Sequence, residues 1–265
     1  MKRFLVLLIL ATVAALSANA GNIVPNFDTV PIGWVVDRYD PNSFTNIGPF
    51  AGRTDVLGIE INDAQALNNR PAPYQSSFYN TQGRQFSLVG GIGDILGADL
   101  YIPIEWRDES NGSRRSDMWA IMTDGVGVSD YPIVGFTNYG GTPTFRVWDD
   151  VAWVNLTDSI IFGDWNSLEM EFTGSAYKYY INGSLAFTDN TINGTTAFQG
   201  MIMQAFNFGG DPSISNAVAG DPLGNYTAYW DNSGGEVPEP GTVLLMSVGL
   251  GGLLLLRRRN AKSKL

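Results

Sequence analysis

Trp165-Asn166-Ser167-Leu168-Glu169-Met170-Glu171-Phe172 is the stretch on which the fold reading turns. Leu168, Met170 and Phe172 alternate with Glu169 and Glu171, the period of two expected of a strand with one face in a core. Thr173-Gly174-Ser175 then turns the chain, and residues 177–181 read as a second strand. Asn182-Gly183 supplies a hairpin turn, because both residues tolerate positive φ. Residues 184–188 return as a third strand.

The same pattern extends to both sides. Residues 34–38, 56–61, 85–89, 94–104, 118–123, 133–138, 144–148, 199–208 and 226–232 are short runs of β-branched, aromatic and other apolar residues. Such residues suit a pleated, half-buried surface. In the run 94–104, Leu96, Ala98, Leu100, Ile102 and Ile104 share one face. Asn111-Gly112, Asp124-Gly125, Gly140-Gly141 and Asn193-Gly194 punctuate the runs as turns. Only residues 62–69 suggest helix, and there for one or two turns. Many short strands joined by hairpin turns predict an all-β, antiparallel jelly-roll sandwich over residues 21–233.

Composition narrows the function. The chain has 16 basic and 26 acidic residues. Between residues 21 and 236 there are nine basic against 25 acidic side chains, a net charge of −16. A polyanion such as nucleic acid needs a basic stripe, which this pattern lacks. The chain contains neither Cys nor His. Thiol nucleophiles, imidazole bases, disulfides and the usual zinc ligand sets are therefore excluded.

The two ends read as export signals. Lys2 and Arg3 precede the apolar run 4–16, and Ala18-Asn19-Ala20 forms a small-x-small cleavage site, so residues 1–20 read as a signal peptide for signal peptidase. Residues 234–240 form a linker ending in Pro238-Glu239-Pro240. Residues 241–256 carry no charge. At ~1.5 Å rise they reach ~24 Å, a short transmembrane helix. Arg257, Arg258 and Arg259 open a basic tail, residues 257–265, that stays on the cytoplasmic side and stops transfer.

Val237-Pro238-Glu239-Pro240-Gly241, the apolar run and the arginine cluster together resemble the PEP-CTERM sorting signal, also known as the ice-binding protein C-terminal domain. The resemblance implies an exosortase-type transpeptidase as partner. It also implies an inner-membrane precursor of a Gram-negative bacterium that ends at the cell surface or in the extracellular matrix. Trp165 with Tyr180-Ile181-Asn182-Gly183-Ser184-Leu185 resembles concanavalin A-like (laminin-G-like) lectin and glucanase domains, in which a Trp opens a core strand. Tyr229-Trp230-Asp231-Asn232 is similar to the last jelly-roll strand of PEP-CTERM proteins, and would pair near the first strand.

On these grounds the expectation is a non-enzymatic, surface-sorted protein that binds or organises exopolysaccharide, with no catalytic residue assigned. Trp148 and Trp153 are the candidate sugar-stacking pair. Structural Ca²⁺ is the one cofactor considered, with Asp149, Asp150 and Asp231 as candidate ligands, because hard cations take loop carboxylates. Two alternatives stand beside this reading. One is a glycoside hydrolase using Glu169 and Glu171, which lie two apart on one strand and hence about 7 Å from each other. They lack the third acid of the Glu-x-Asp-x-x-Glu motif that glucanases of this type carry. The other is a structural matrix protein with no specific ligand.

Overall fold

A computed structural model describes residues 21–23, 25, 27–211 and 224–232. The signal segment, the linker, the apolar run and the basic tail lie outside the described residues. Among the described residues no helix is long and apolar enough to cross a membrane.

The strands in chain order are β1 (Asn22–Ile23), β2 (Trp34–Val36), β3 (Ser43–Asn46), β4 (Leu57–Ile61), β5 (Thr81–Gly90), β6 (Ile95–Ile102), β7 (Arg115–Thr123) and β8 (Val128–Asp130). They continue as β9 (Ile133–Thr137), β10 (Thr144–Trp148), β11 (Trp153–Asn155), β12 (Asp164–Phe172), β13 (Tyr177–Ile181), β14 (Ser184–Asp189), β15 (Ala197–Phe206) and β16 (Tyr226–Asp231). They form two eight-stranded sheets. The first runs β14-β13-β12-β6-β16-β4-β3, with β1 on β6; the second runs β11-β10-β9-β7-β15-β5-β2, with β8 on β7. Among the described residues the strands pair antiparallel except for the two-residue contact of β1 with β6, and an isolated parallel bridge joins Tyr39 to Gln82. The all-β sandwich expected from the alternation is therefore the observed architecture. The helical segment at 62–69 reduces to one 3-10 turn, Asp63–Gln65.

The two sheets share one core. From the first come Leu96, Leu100, Leu168, Met170, Phe172 and Trp230; from the second Met118, Met122, Phe136, Phe145, Met201 and Met203. Period-two alternation puts each of these inward and frees the intervening residue for the outer face. Asn182 (φ 50°) and Gly183 (φ 75°) make the hairpin turn between β13 and β14, both left-handed as that turn requires. Polar bonds also cross between the sheets. Trp230 Nε1 donates to Ser116 Oγ at 2.8 Å. Tyr226 Oη donates to the backbone oxygens of Arg115 (2.7 Å) or Phe206 (2.8 Å). β1 and β16 both pair with β6, opposite β12, so the first and last strands of the body share one edge of one strand.

Candidate functional site on the outer face of the second sheet

β7 turns Met118, Ala120 and Met122 into the core. Arg115, Asp117, Trp119 and Ile121 therefore face outward. Register extends each of these positions into a row across the sheet. Asp117 lies opposite Gln204 on β15 and Gly135 on β9, Gly135 opposite Arg146 on β10, and Arg146 opposite Asn155 on β11. The next row holds Ile202, Trp119, Ile133, Trp148 and Trp153 in the same order. A polar row and an aromatic row thus run side by side, about 7 Å apart, across five strands.

The polar row centres on Asp117, whose side chain is fully buried. Its Oδ2 accepts from Arg115 Nε at 2.6 Å and from Gln204 Nε2, with Arg146 Nη2 3.6 Å away. Gly135 makes room for this carboxylate: a Cβ there would stand 2.2 Å from Asp117 Oδ1. Several buried polar atoms have no hydrogen-bond partner among the described residues. They are Asp117 Oδ1, Gln204 Oε1, Trp119 Nε1, and Nε and Nη2 of Arg146. Each such group costs about 1–3 kcal/mol when nothing bonds it, more when charged. A fold retains a cluster of them where a ligand or ordered water completes it. Burial pushes the Arg146 guanidinium down to about 10, against the pull of Asp117, and the charge of Arg115 adds to the lowering.

Aromatic rings close over the cations. Arg146 Cζ is 3.8 Å and Arg115 Cζ 4.8 Å from the Trp153 ring centre. Arg38 Cζ lies 4.6 Å from Trp119 and 4.8 Å from Phe78. Such contacts contribute about 0.5–2 kcal/mol, the larger value when the cation is desolvated.

Trp148 and Trp153 stand directly opposite each other on β10 and β11, at strand ends rather than within a loop, with ring centres 5.5 Å apart. The three aspartates do not converge. Asp149 caps its own turn, accepting from the backbone of Val151 and Ala152. Asp150 accepts from Asn193. Asp231 pairs with Arg53, which also bonds Asp99, so a guanidinium supplies the positive charge there. Among the described residues no group of three or more Asp or Glu is placed to hold a metal ion. Glu169 and Glu171 point outward from the first sheet. Glu171 accepts from Tyr180 Oη at 2.6 Å and lies 3.9 Å from Lys178 Nζ. Glu169 is half-buried beside Ser167, and burial raises its carboxyl above the usual range. Ala18, Ala20, Val237, Pro238, Glu239, Pro240, Gly241, Arg257, Arg258 and Arg259 lie outside the described residues.

Arg115, Asp117, Arg146 and Gln204 are not among the residues the sequence singles out, since the run expected there begins at Met118 and β7 begins at Arg115. The signal was present: Arg115-Ser116-Asp117 continues the alternation of Met118, Ala120 and Met122 backwards with charges on the outer positions.

Residues 236–259 match the PEP-CTERM protein-sorting motif. The chain thus carries the signal of an exported, exosortase-sorted protein whose membrane-anchored precursor is processed at the cell envelope. Among curated proteins none matches the sequence. Solved structures similar to the chain include an endo-β-1,4-glucuronan lyase from the fungus Trichoderma reesei, at 12% identity and a TM-score of 0.45 over 77% of this chain and 91% of that one. A Bacillus licheniformis β-glucanase follows at 12% identity and 0.41, over 81% and 96%. A lichenase derived from a mouse hindgut metagenome gives 14% and 0.43, over 78% and 95%. These three are glycan-active enzymes, and the expectation of a non-enzymatic protein does not stand beside them.

Proposed function

We propose that the chain is an exported glycan-active protein that engages extracellular polysaccharide across the outer face of the second sheet. In this reading Trp148 and Trp153 stack on sugar rings. Asp117, Arg115, Arg146 and Gln204 supply the polar contacts, and Asp117 is the carboxylate at the centre of any chemistry there. The observation that carries it is the register that lays a row of bonding-deficient buried polar groups beside a row of indoles. Polysaccharide sites combine an aromatic platform with a few fixed polar groups in this way. Export begins with signal peptidase cutting after Ala20. It ends with an exosortase-type transpeptidase acting at Pro238-Glu239-Pro240, which delivers the body to the surface or extracellular matrix of a Gram-negative cell.

The test is to present the full chain in detergent with a panel of polysaccharides, measuring retention and release of reducing or unsaturated ends. Trp153→Ala should weaken retention at least tenfold, and Asp117→Asn should abolish any release. Retention unaffected by Trp153→Ala would refute the assignment of the face. For sorting, Ala-Ala-Ala in place of residues 238–240 should leave the precursor unprocessed in an exosortase-bearing host.

A second reading rests on Glu169. A carboxyl raised by burial is what a general acid requires, and Asp99 and Glu171 flank Glu169 on the outer face of the first sheet. Release of reducing ends that Glu169→Gln abolishes and Asp117→Asn spares would move the chemistry to that face.

A further inference from the structure

The polar row also bears on which polymer the face accepts. We propose that it is a carboxylated one, a polysaccharide containing uronate residues, with Arg146 as the side chain that reads the carboxylate. This rests on the assignment of the face made above.

Arg146 is about nine-tenths buried, yet among the described residues its Nε–H has no hydrogen-bond partner and its Nη2 meets only Asp117 Oδ2, at 3.6 Å, beyond hydrogen-bond distance. Those two donors form one edge of the guanidinium. Their spacing matches the two oxygens of a carboxylate, the fork-on-fork contact that makes arginine–carboxylate pairs strong and directional. A neutral hydroxyl can take only one of them.

Charge points the same way. The body carries −16, so a polyanion is repelled from most of its surface. On this face, however, Arg38, Arg115 and Arg146 lie near one another, against Asp117 and Asp37. The local balance is positive in a protein that is otherwise acidic, and only a ligand with negative charge gains from that contrast.

Position completes the argument. Trp153 covers Arg146 from the three-residue edge strand β11. A sugar ring stacked on the outer side of Trp153 is held one indole thickness from the guanidinium edge below. The indole must shift for that edge to be reached, so Trp153 reports the event.

The experiment compares polygalacturonate and alginate with carboxyl-reduced polygalacturonate and a neutral β-1,3-glucan, using the full chain in detergent. Affinity electrophoresis measures binding, and tryptophan fluorescence follows Trp153. The uronates are expected to bind at least tenfold tighter than the carboxyl-reduced polymer. That preference should shrink as salt rises, and Arg146→Gln should erase it. A fluorescence change on uronate binding should disappear in Trp153→Phe. Equal or tighter binding of the carboxyl-reduced polymer overturns the inference without any variant, and so does an undiminished preference in a folded Arg146→Gln protein. Binding of neutral glucan alone would sink this inference and leave the glycan face standing. Binding of no polymer would sink both.

Discussion

Arg146 lies between a carboxylate and an indole: its Cζ is 3.8 Å from the centre of Trp153 and its Nη2 is 3.6 Å from Asp117 Oδ2. Arg115 shares both neighbours, at 4.8 Å and 2.6 Å. Two guanidinium groups thus depend on one buried negative charge. Removing one partner of a buried ionic group costs about 3–5 kcal/mol, because the remaining charge is left uncompensated. Asp117→Asn should therefore lower the unfolding free energy by about that much in urea titrations. Adding Arg146→Met to it should recover part of the loss, since a repelling cation goes with it. A neutral Asp117→Asn would mean that Arg115 and Arg146 are hydrated rather than paired.

Gly135 offers a steric counterpart. An added Cβ would lie 2.2 Å from Asp117 Oδ1 and 2.5 Å from the backbone oxygen of Ser116, and the latter cannot rotate away. Gly135→Ala should cost about 1–3 kcal/mol, or more, as overpacked cores do. Gly127, with nothing within 4 Å of its added Cβ, is the control. Gly127→Ala should stay within about 0.5 kcal/mol. Thermal denaturation of both proteins separates a crowded carboxylate from a general intolerance of lost glycine.

The contrast between fold and site explains what could be read beforehand. Leu168, Met170 and Phe172 announced their strand because burial follows a local period, and Asn182-Gly183 marked its turn by backbone chemistry alone. Trp148 and Trp153 were recognisable as a pair because only four residues separate them across a hairpin. Asp117 meets Gln204 only through the pairing of β7 with β15, 87 residues apart. No local pattern carries that register. Arg115 and Asp117 were visible as charges at a strand's start, but a charge preceding an apolar run looks like a solvated end until the neighbouring strands arrive on both sides. Asp231 shows the same limit of a local pattern. Its partner Arg53 is distant in sequence, and an aspartate at a strand end resembles a cation ligand when the guanidinium beside it is unseen.

Asp130 gives a pH signature. Burial and the adjacent Asp150 raise its carboxyl to about 6, while the backbone N–H of Tyr131 opposes the rise. Tyr177 faces the same pair, and its hydroxyl is itself pushed up by burial and by these carboxylates. With an ordinary value near 3.8 in the unfolded chain, the folded state binds more protons between about pH 4 and pH 6. The stability contributed by this group is therefore complete below about pH 4 and is lost as pH rises through 6. Asp130→Asn should flatten that decline. The difference in melting temperature between the two proteins, measured from pH 4 to pH 8, should move in favour of the variant up to about one pH unit above the Asp130 value and then level off. A constant difference would show that Asp130 does not hold its proton in the fold.

Beneath the candidate site, Ser116 ties the two sheets together. Its Oγ accepts from Trp230 Nε1 on the first sheet at 2.8 Å and donates to the Gln204 backbone oxygen on the second at 2.7 Å. Both Ser116 and Trp230 are fully buried. Ser116→Ala deletes the acceptor and leaves an indole N–H in the core without a partner, a loss of about 1–3 kcal/mol. The same change removes a bond to Gln204, whose side chain bonds Asp117 on the opposite face. Two readouts are therefore expected to move together: the urea midpoint should fall, and retention on polysaccharide should weaken although Ser116 touches no ligand. Ser116→Thr keeps the hydroxyl, and should restore the bonds at the cost of fitting one methyl group into a packed core. A Ser116→Ala protein with lowered stability but unaltered retention would show that Gln204 keeps its place without the inter-sheet bond.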